Sequence, residues 1–249
     1  MCDDSGAAPN CPCQGQQLRH FAFTHFSKVP LIFAAMTVAE KAERIYSRPE
    51  DRADAIVHVL GVLFAINAGA WLLFHVSGLS VIVSVSVYCA GLFAMLTASA
   101  AYNLAPQGRT REILRRFDHA AIFVMIAATY TPFAANRLGH PAGDWILAAI
   151  WLCASVGVAM KMLFPRRFEL ASVAFYIAMG WMIIAVIKPL VARVSVADLW
   201  LLLGGGLVYC AGVAFYLSER LPFHKAIWHG FVLLAAILQF ASIVGEFAV

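Results

Sequence analysis

The sequence predicts an all-α membrane protein: a polytopic bundle of seven transmembrane helices, with the N-terminus in the cytoplasm and the C-terminus outside. Hydrophobic residues make up 62% of the 249 residues and charged residues only 13%, whereas a soluble domain has about 45–50% apolar and about 25% charged residues. Seven apolar stretches each approach the roughly 20 residues that cross a hydrocarbon core of about 30 Å. Basic residues lie mostly in alternate connections, as in membrane proteins of fixed orientation.

The region before the first span divides into two predicted parts. Residues 1–20 are polar and are predicted to form a disordered cytoplasmic tail. Residues 21–50 are predicted to form an interfacial segment followed by a short cytoplasmic helix over 37–47, because their apolar stretch is too short and interrupted to span. Residues 49–52 (Pro-Glu-Asp-Arg) then predict a turn into the membrane.

The seven-helix domain is predicted to take up residues 51–249. Glycine, proline and charged residues separate its apolar stretches. With the N-terminus inside, the cytoplasmic segments hold 15 of the 18 Lys and Arg residues and the outer segments hold 3. This asymmetry predicts the orientation, and the short basic clusters argue against a nucleic-acid partner. The predicted spans are 54–77, 80–104, 118–137, 144–164, 169–190, 197–218 and 225–247.

Polar residues gather at the predicted cytoplasmic ends of three spans, where their cost in lipid makes them functional candidates. A spacing of four residues places each pair on the second and seventh spans on one helix face. The three groups are therefore expected to meet at one depth, just inside the inner leaflet. They are Ser99 and Asn103 on the second span, Asp118 and His119 on the third, and His224, Lys225 and His229 on the seventh.

Most of these residues also have a structural interpretation. Asp118 could be a carboxylate that stabilises a helix N-terminus. Ser99 could hydrogen-bond to its own helix, and Asn103 could be a polar residue at a helix end. Lys225 could extend its ammonium group to the lipid headgroups.

The histidines near the same ends differ in depth. His224 is expected to be an exposed loop residue, and His58, near the start of the first span, is expected to be structural or interfacial. His229 lies a full turn into an apolar helix. It is therefore the histidine for which a functional role is expected most strongly.

Several segments resemble the haemolysin III family, which belongs with the progestin and adiponectin receptor (PAQR) proteins. The specific ones are residues 115–123 (Arg-Arg-Phe-Asp-His-Ala-Ala-Ile-Phe) with 128–133 (Ala-Thr-Tyr-Thr-Pro-Phe), and residues 226–229 (Ala-Ile-Trp-His); residues 51–58 and 176–181 also agree. The resemblance implies a seven-helix bundle with its N-terminus inside, located in a bacterial inner membrane.

The resemblance also implies a buried zinc ion near the cytoplasmic ends of the helices. The family pattern is Ser-x3-His on helix two, Asp at the start of helix three, and His-x3-His on helix seven. Three histidines hold the zinc, and the Asp positions a water that the ion activates for hydrolysis. The wider superfamily includes amide hydrolases acting on ceramides, and a bacterial branch is linked to control of membrane fluidity.

This sequence departs from that pattern, because Asn103 and Lys225 stand at two of the three histidine positions. Asp118 and His229 remain as residual metal ligands, with His224 nearby but on another helix face. An amide is a poor zinc ligand and an ammonium group repels the ion, so we expect no cofactor, and zinc only if the site is rescued. Lys225 is instead expected to pair with Asp118, since a buried charge needs a partner.

These observations lead to three functional hypotheses. The first is a haemolysin III-like protein that acts in membrane and lipid homeostasis, with membrane lipids as partners and an altered zinc site. The alternative is a zinc-dependent hydrolase of a ceramide-type lipid amide, with Asp118 and Ser99 as catalytic residues and its substrate in the bundle cavity. A pore-forming cytolysin ranks last, because the spans offer few charges to line a water-filled channel.

Overall fold

The structure is a computed structural model that describes residues 47–218 and 220–249. Within those ranges it contains helices and no strand, which confirms the all-α fold class. The predicted tail 1–20 and most of the predicted segment 21–50 lie outside the described residues. The helices are α1 (Arg48–Phe74), α2 (Leu79–Leu104), α3 (Arg109–Asn136), α4 (Ala142–Leu163), α5 (Glu169–Trp181), a 3-10 segment (Met182–Val186), α6 (Ile187–Val191), α7 (Val196–Leu217) and α8 (His224–Phe247).

Within the described residues, six helical stretches are long and apolar enough to cross a membrane, as expected for a multi-pass membrane protein. They are α1, α2, α4, α7, α8 and the continuous stretch Glu169–Val191 that joins α5 to α6. The predicted third span, 118–137, lies within α3, which is not one of the six. The first two turns of α3 carry four arginines, and the helix packs between α2 and α4. Protein covers much of its surface, so its sequence does not need to be as apolar as a lipid-facing helix.

Helix α1 begins at Arg48, six residues before the predicted span, and includes the residues predicted to turn. Its start is a capping box, in which the backbone N–H of Ser47 (2.9 Å) and the Ser47 hydroxyl (2.8 Å) donate to the Glu50 carboxylate. Pro49 fits the first turn because its missing N–H would have no helical partner there. The turn-forming composition of these residues therefore starts a helix.

One end of the bundle carries most of the positive charge. Contacts across this end join the starts of α1 and α8, where the Phe223 N–H donates to Glu50 (2.9 Å). They also join α3 to α5, where Arg115 donates to Glu169 (2.6 Å). We call this the basic end, since it holds 11 of the 14 described Lys and Arg residues: Arg48, Arg52, Arg109, Arg111, Arg115, Arg116, Lys161, Arg166, Arg167, Arg220 and Lys225.

The opposite end holds the other three described basic residues. There the Val249 N–H donates to the His75 carbonyl at 2.8 Å, which joins the two ends of α1 and α8. Arg137, at the end of α3, donates to the Glu246 carbonyl at 2.7 Å. Helices α1 and α8 therefore run parallel, and both pass from the basic end to the opposite end.

One face of α1 is turned into the bundle. Its buried residues recur every three or four positions, as expected for a helical stripe: Glu50, Asp54, His58, Gly61, Ala65, Gly69 and Leu72. The other faces expose large apolar side chains, among them Val59, Leu63 and Ile66. This arrangement of polar and small groups inside and apolar groups outside suits a helix in lipid. It also places an acid and a histidine in the interior near the basic end.

The fifth apolar stretch is interrupted at Met182–Val186, where the helix tightens into a 3-10 segment. The hydroxyl of Tyr130, on α3, lies 2.8 Å from the Gly180 carbonyl and 2.9 Å from the Met179 carbonyl, and it accepts the N–H of Ile183 at 2.8 Å. One side chain of α3 thus satisfies the backbone groups that the interruption leaves free.

Candidate functional site

Three side chains that can bind a metal meet between α1 and α8, near the basic end. Asp54 and His58 lie one turn apart on α1, and His229 lies in the second turn of α8. The Nδ1 atom of His229 lies 2.6 Å from Oδ1 of Asp54, and Nε2 of His58 lies 3.5 Å from Oδ2 of the same carboxylate. The rings of His58 and His229 are 4.3 Å apart between centroids. We call these three residues the Asp54 centre.

The Asp54 centre is almost closed to the outside. Its side chains are 9% (Asp54), 4% (His58) and 12% (His229) exposed. An ionised carboxylate can only accept hydrogen bonds, so Nδ1 of His229 is the donor in the 2.6 Å contact. The Nε2 atom of His58 is buried and makes no hydrogen bond in the described structure. The centre therefore contains one strong charge-assisted hydrogen bond and one buried ring nitrogen without a hydrogen bond.

Helix packing holds this centre in place. Gly61 follows His58 by one turn and lies where a Cβ would be 3.4 Å from Leu96 of α2 and 3.8 Å from Leu233 of α8. At this turn α1 is therefore in van der Waals range of both neighbours, one turn from His58. The chemistry available here is that of one carboxylate and two imidazoles, a set that suits divalent transition metals.

The sequence pattern pointed to His229 but not to the two residues that it contacts. Asp54 was given no role, and His58 was expected to be structural or interfacial. The available signal was the Asp-x3-His spacing, which puts both side chains on one face of α1 near its basic end. Their contact with α8, 175 residues away along the chain, leaves no local pattern in the sequence.

The predicted pair Asp118 and His119 lies in a second polar network, at the basic end of α3, α4 and α5. Oδ2 of Asp118 is 3.6 Å from Nδ1 of His119. The Glu169 carboxylate accepts from Arg115 (2.6 Å) and from Lys161 (3.2 Å), and it lies 3.8 Å from Nε2 of His119. Carboxylates and cations alternate in this network, so the buried charges compensate one another.

The structure brings the predicted residues Ser99 and Asn103 together on α2. The Asn103 amide donates to the Ser99 carbonyl (3.0 Å) and lies 3.5 Å from the Ser99 hydroxyl. Both contacts are within one helix turn. The side chain that bonds to its own helix is Asn103, whereas that bonding was expected of Ser99.

One expectation for the start of α8 is corrected. His224 is not an exposed loop residue: it is the first residue of α8 and only 6% exposed, because Phe223 adopts a left-handed conformation that turns the chain inward at the helix start. Oδ2 of Asp118 lies 3.6 Å from Nδ1 of His119, and the expected pairing of Asp118 with Lys225 stays a prediction.

The zinc ligands that the resemblance implies can be tested against the residues present. The amide nitrogen of Asn103 is directed to Ser99, and an ammonium group at Lys225 cannot coordinate an ion. Asp118 is outside the Asp54 centre, which is the one group of three or more His, Cys, Asp or Glu residues in the described part of the chain whose ligand atoms all lie within 4.8 Å of one another. The residues at the implied positions therefore do not fit a zinc ion held by three histidines.

Comparison with known proteins places this site in a family context. A family model described as "Haemolysin-III related" matches residues 46–240. The chain is 36% identical over 199 residues to "Hemolysin-3 homolog" of Bacillus subtilis (strain 168), covering 79% of this chain and 93% of that protein. It is 39% identical over 194 residues to "Hemolysin-3" of Bacillus cereus, covering 77% and 89%. The human "Monocyte to macrophage differentiation factor" is 29% identical over 165 residues, covering 63% and 67%.

Proposed function

Since this chain belongs to the haemolysin III family, we propose that it is a seven-span protein of a bacterial inner membrane that acts in membrane and lipid homeostasis. The observation that carries the proposal is the buried Asp54–His229 pair inside the bundle. Charged groups within a span are costly and are retained mainly where they serve a function. Asn103 and Lys225 support the further proposal that the zinc site implied by the resemblance is altered.

The seven-span topology rests on α3 and on the basic end. Helix α3 has 28 residues, so it is about 42 Å long and exceeds the hydrocarbon thickness of about 30 Å. The basic end holds 11 of the 14 described basic residues and would face the cytoplasm. The C-terminus would then lie outside. A C-terminal phosphatase fusion should be active and a C-terminal green fluorescent protein fusion dark; the reverse result contradicts this topology.

The homeostasis proposal is tested in a strain that lacks the gene. Membrane order, measured with a polarity-sensitive lipid dye, and lipid composition should change on deletion and return with the wild-type protein. Asp54→Asn should fail to restore them. Asp51→Asn is the matched control, because Asp51 is an exposed acid on the same helix, and it should restore both. Unchanged membrane order on deletion, or full rescue by Asp54→Asn, contradicts the proposal.

A lipid-amide hydrolase is the second candidate, and the donor set of the Asp54 centre favours it, because one carboxylate and two histidines form a known hydrolytic zinc set. In this alternative Asp118 and Ser99 serve as catalytic residues. Purified protein should then release fatty acid from a ceramide-type substrate, and a chelator should abolish the release. No turnover with zinc present excludes this candidate.

A cytolytic pore is suggested by the printed names of the two Bacillus relatives alone. The described spans bury few charged side chains that could line a water-filled channel. We therefore expect no ion conductance from the protein in liposomes. Stable conductance that requires folded protein would overturn this ranking.

A further inference from the structure

We propose that Asp54, His58 and His229 bind a single zinc ion between α1 and α8. This site differs from the one that the resemblance implies, because only His229 is common to both. The ion would be held by the first and last helices of the bundle, and α2 and α3 would supply no ligand. The inference does not depend on the proposed role in lipid homeostasis.

The distances in the Asp54 centre are close to those of a metal site. Zinc–nitrogen and zinc–oxygen bonds of about 2.0–2.1 Å in a tetrahedral site put ligand atoms about 3.3 Å apart. The two contacts of the carboxylate are 2.6 Å and 3.5 Å, which lie on either side of that separation. One ligand atom from each residue lies within 4.8 Å of the other two. Small side-chain movements, without a change in the helices, would therefore complete the coordination.

The Nε2 atom of His58 points independently to a ligand. The side chain is 4% exposed, and Nε2 has no hydrogen-bond partner in the described structure. Its nearest charged atom is Oδ2 of Asp54 at 3.5 Å. A buried polar atom that makes no hydrogen bond is costly, so such atoms in a native site call for an explanation. A bond from this nitrogen to an ion provides it.

The donor types select the metal. Calcium and magnesium prefer oxygen ligands, whereas two imidazoles and one carboxylate suit zinc and related transition ions. Three protein ligands leave the fourth position of a tetrahedral ion for water. If His229 coordinated through Nδ1, the proton now donated to Asp54 would move to Nε2 of the same ring, because a neutral imidazole carries one N–H and one lone-pair nitrogen.

Metal content of the full-length protein in detergent micelles tests the proposal. After exposure to zinc and removal of the excess, the wild-type protein should retain about one zinc ion per chain. His58→Gln and Asp54→Asn should lose most of it. His140→Gln and Asp51→Asn are matched controls at exposed positions, and they should retain it. A wild-type protein without zinc overturns the proposal.

The same series separates the two metal sites. Asp118→Asn should retain zinc if the ion lies in the Asp54 centre. Loss of zinc from Asp118→Asn together with retention by His58→Gln would place the ion at the implied family site and overturn the proposal. If His58→Gln does not fold, cobalt in place of zinc gives a second measurement on the wild-type protein. Visible absorption typical of four-coordinate cobalt supports a built site, and the spectrum of hydrated cobalt contradicts it.

Discussion

The buried hydrogen bond between Asp54 and His229 should couple these residues energetically. The two atoms are 2.6 Å apart, and the side chains are only 9% and 12% exposed. A hydrogen bond to a charged group contributes about 1.5–3 kcal/mol, and coupling energies between residues in contact fall in a range of about 0.5–3 kcal/mol. We therefore expect a coupling free energy of about 2 kcal/mol in a double-mutant cycle of Asp54→Ala and His229→Ala.

The chain provides a matched control for this cycle. Nδ1 of His140 lies 2.5 Å from Oδ2 of Asp144, but these side chains are 88% and 62% exposed. Water and salt weaken such a pair, so its coupling should be about 0.5 kcal/mol or less. The two pairs share residue types and have similar contact distances, but they differ in burial and in sequence separation, which is 175 residues for Asp54–His229 and 4 for His140–Asp144.

Unfolding titrations in mixed detergent micelles, with a chelator to exclude bound metal, measure both cycles. The free energy of unfolding is determined for the wild-type protein, each single variant and each double variant. A coupling at Asp54–His229 at least threefold larger than at His140–Asp144 is the expected result. Equal couplings for the two pairs, or additive single effects at Asp54 and His229, refute the inference that burial strengthens this contact.

Two further predictions concern helix packing and surface charge. Gly157→Ala should lower the free energy of unfolding by about 1–3 kcal/mol, because the new methyl group would overlap the buried ring of Phe123. Gly206→Ala is the control: its added Cβ would have no neighbouring atom within 4 Å, so this variant should not lower the melting temperature. The hydrogen bonds from Arg166 (2.5 and 3.1 Å) hold the pKa of the exposed Glu112 below its ordinary value, about 4.3. The small stabilisation from these hydrogen bonds is present above that pH and is lost as the pH falls through the lower pKa of the folded state. Glu112→Gln should therefore lower the melting temperature slightly at neutral pH, and the difference should shrink as the pH falls below the ordinary pKa.

The lengths of the apolar stretches predicted where the helices lie. They predicted the first and last residues of each helix less well. The first span was predicted from residue 54, but α1 begins at Arg48, because capping by Ser47 and Glu50 extends a helix into polar sequence. The third predicted span lies inside a longer helix that protein covers, so hydropathy alone identifies it less clearly. The interruption at Met182–Val186 depends on Tyr130, a tertiary contact about 50 residues away, which no local pattern records.

The sequence identified one residue of the candidate site, His229, but not the residues that contact it. His229 could be identified because a histidine one turn inside an apolar helix needs a partner. That partner could not be identified from the sequence, because the pattern implied by the resemblance places the other site residues on the second and third helices and none on the first. The structure supplies it from α1, where Asp54 and His58 share the inward face with small residues.

The central claim is that the functional centre of this bundle lies between its first and last helices, with His58 and His229 as partners. X-ray absorption at the zinc edge, on wild-type protein and on His58→Gln, tests it most directly. The expected wild-type spectrum has two imidazole ligands and a carboxylate oxygen at about 2.0–2.1 Å, and the variant should lose one imidazole or the metal altogether. An unchanged number of imidazole ligands in His58→Gln would contradict the claim.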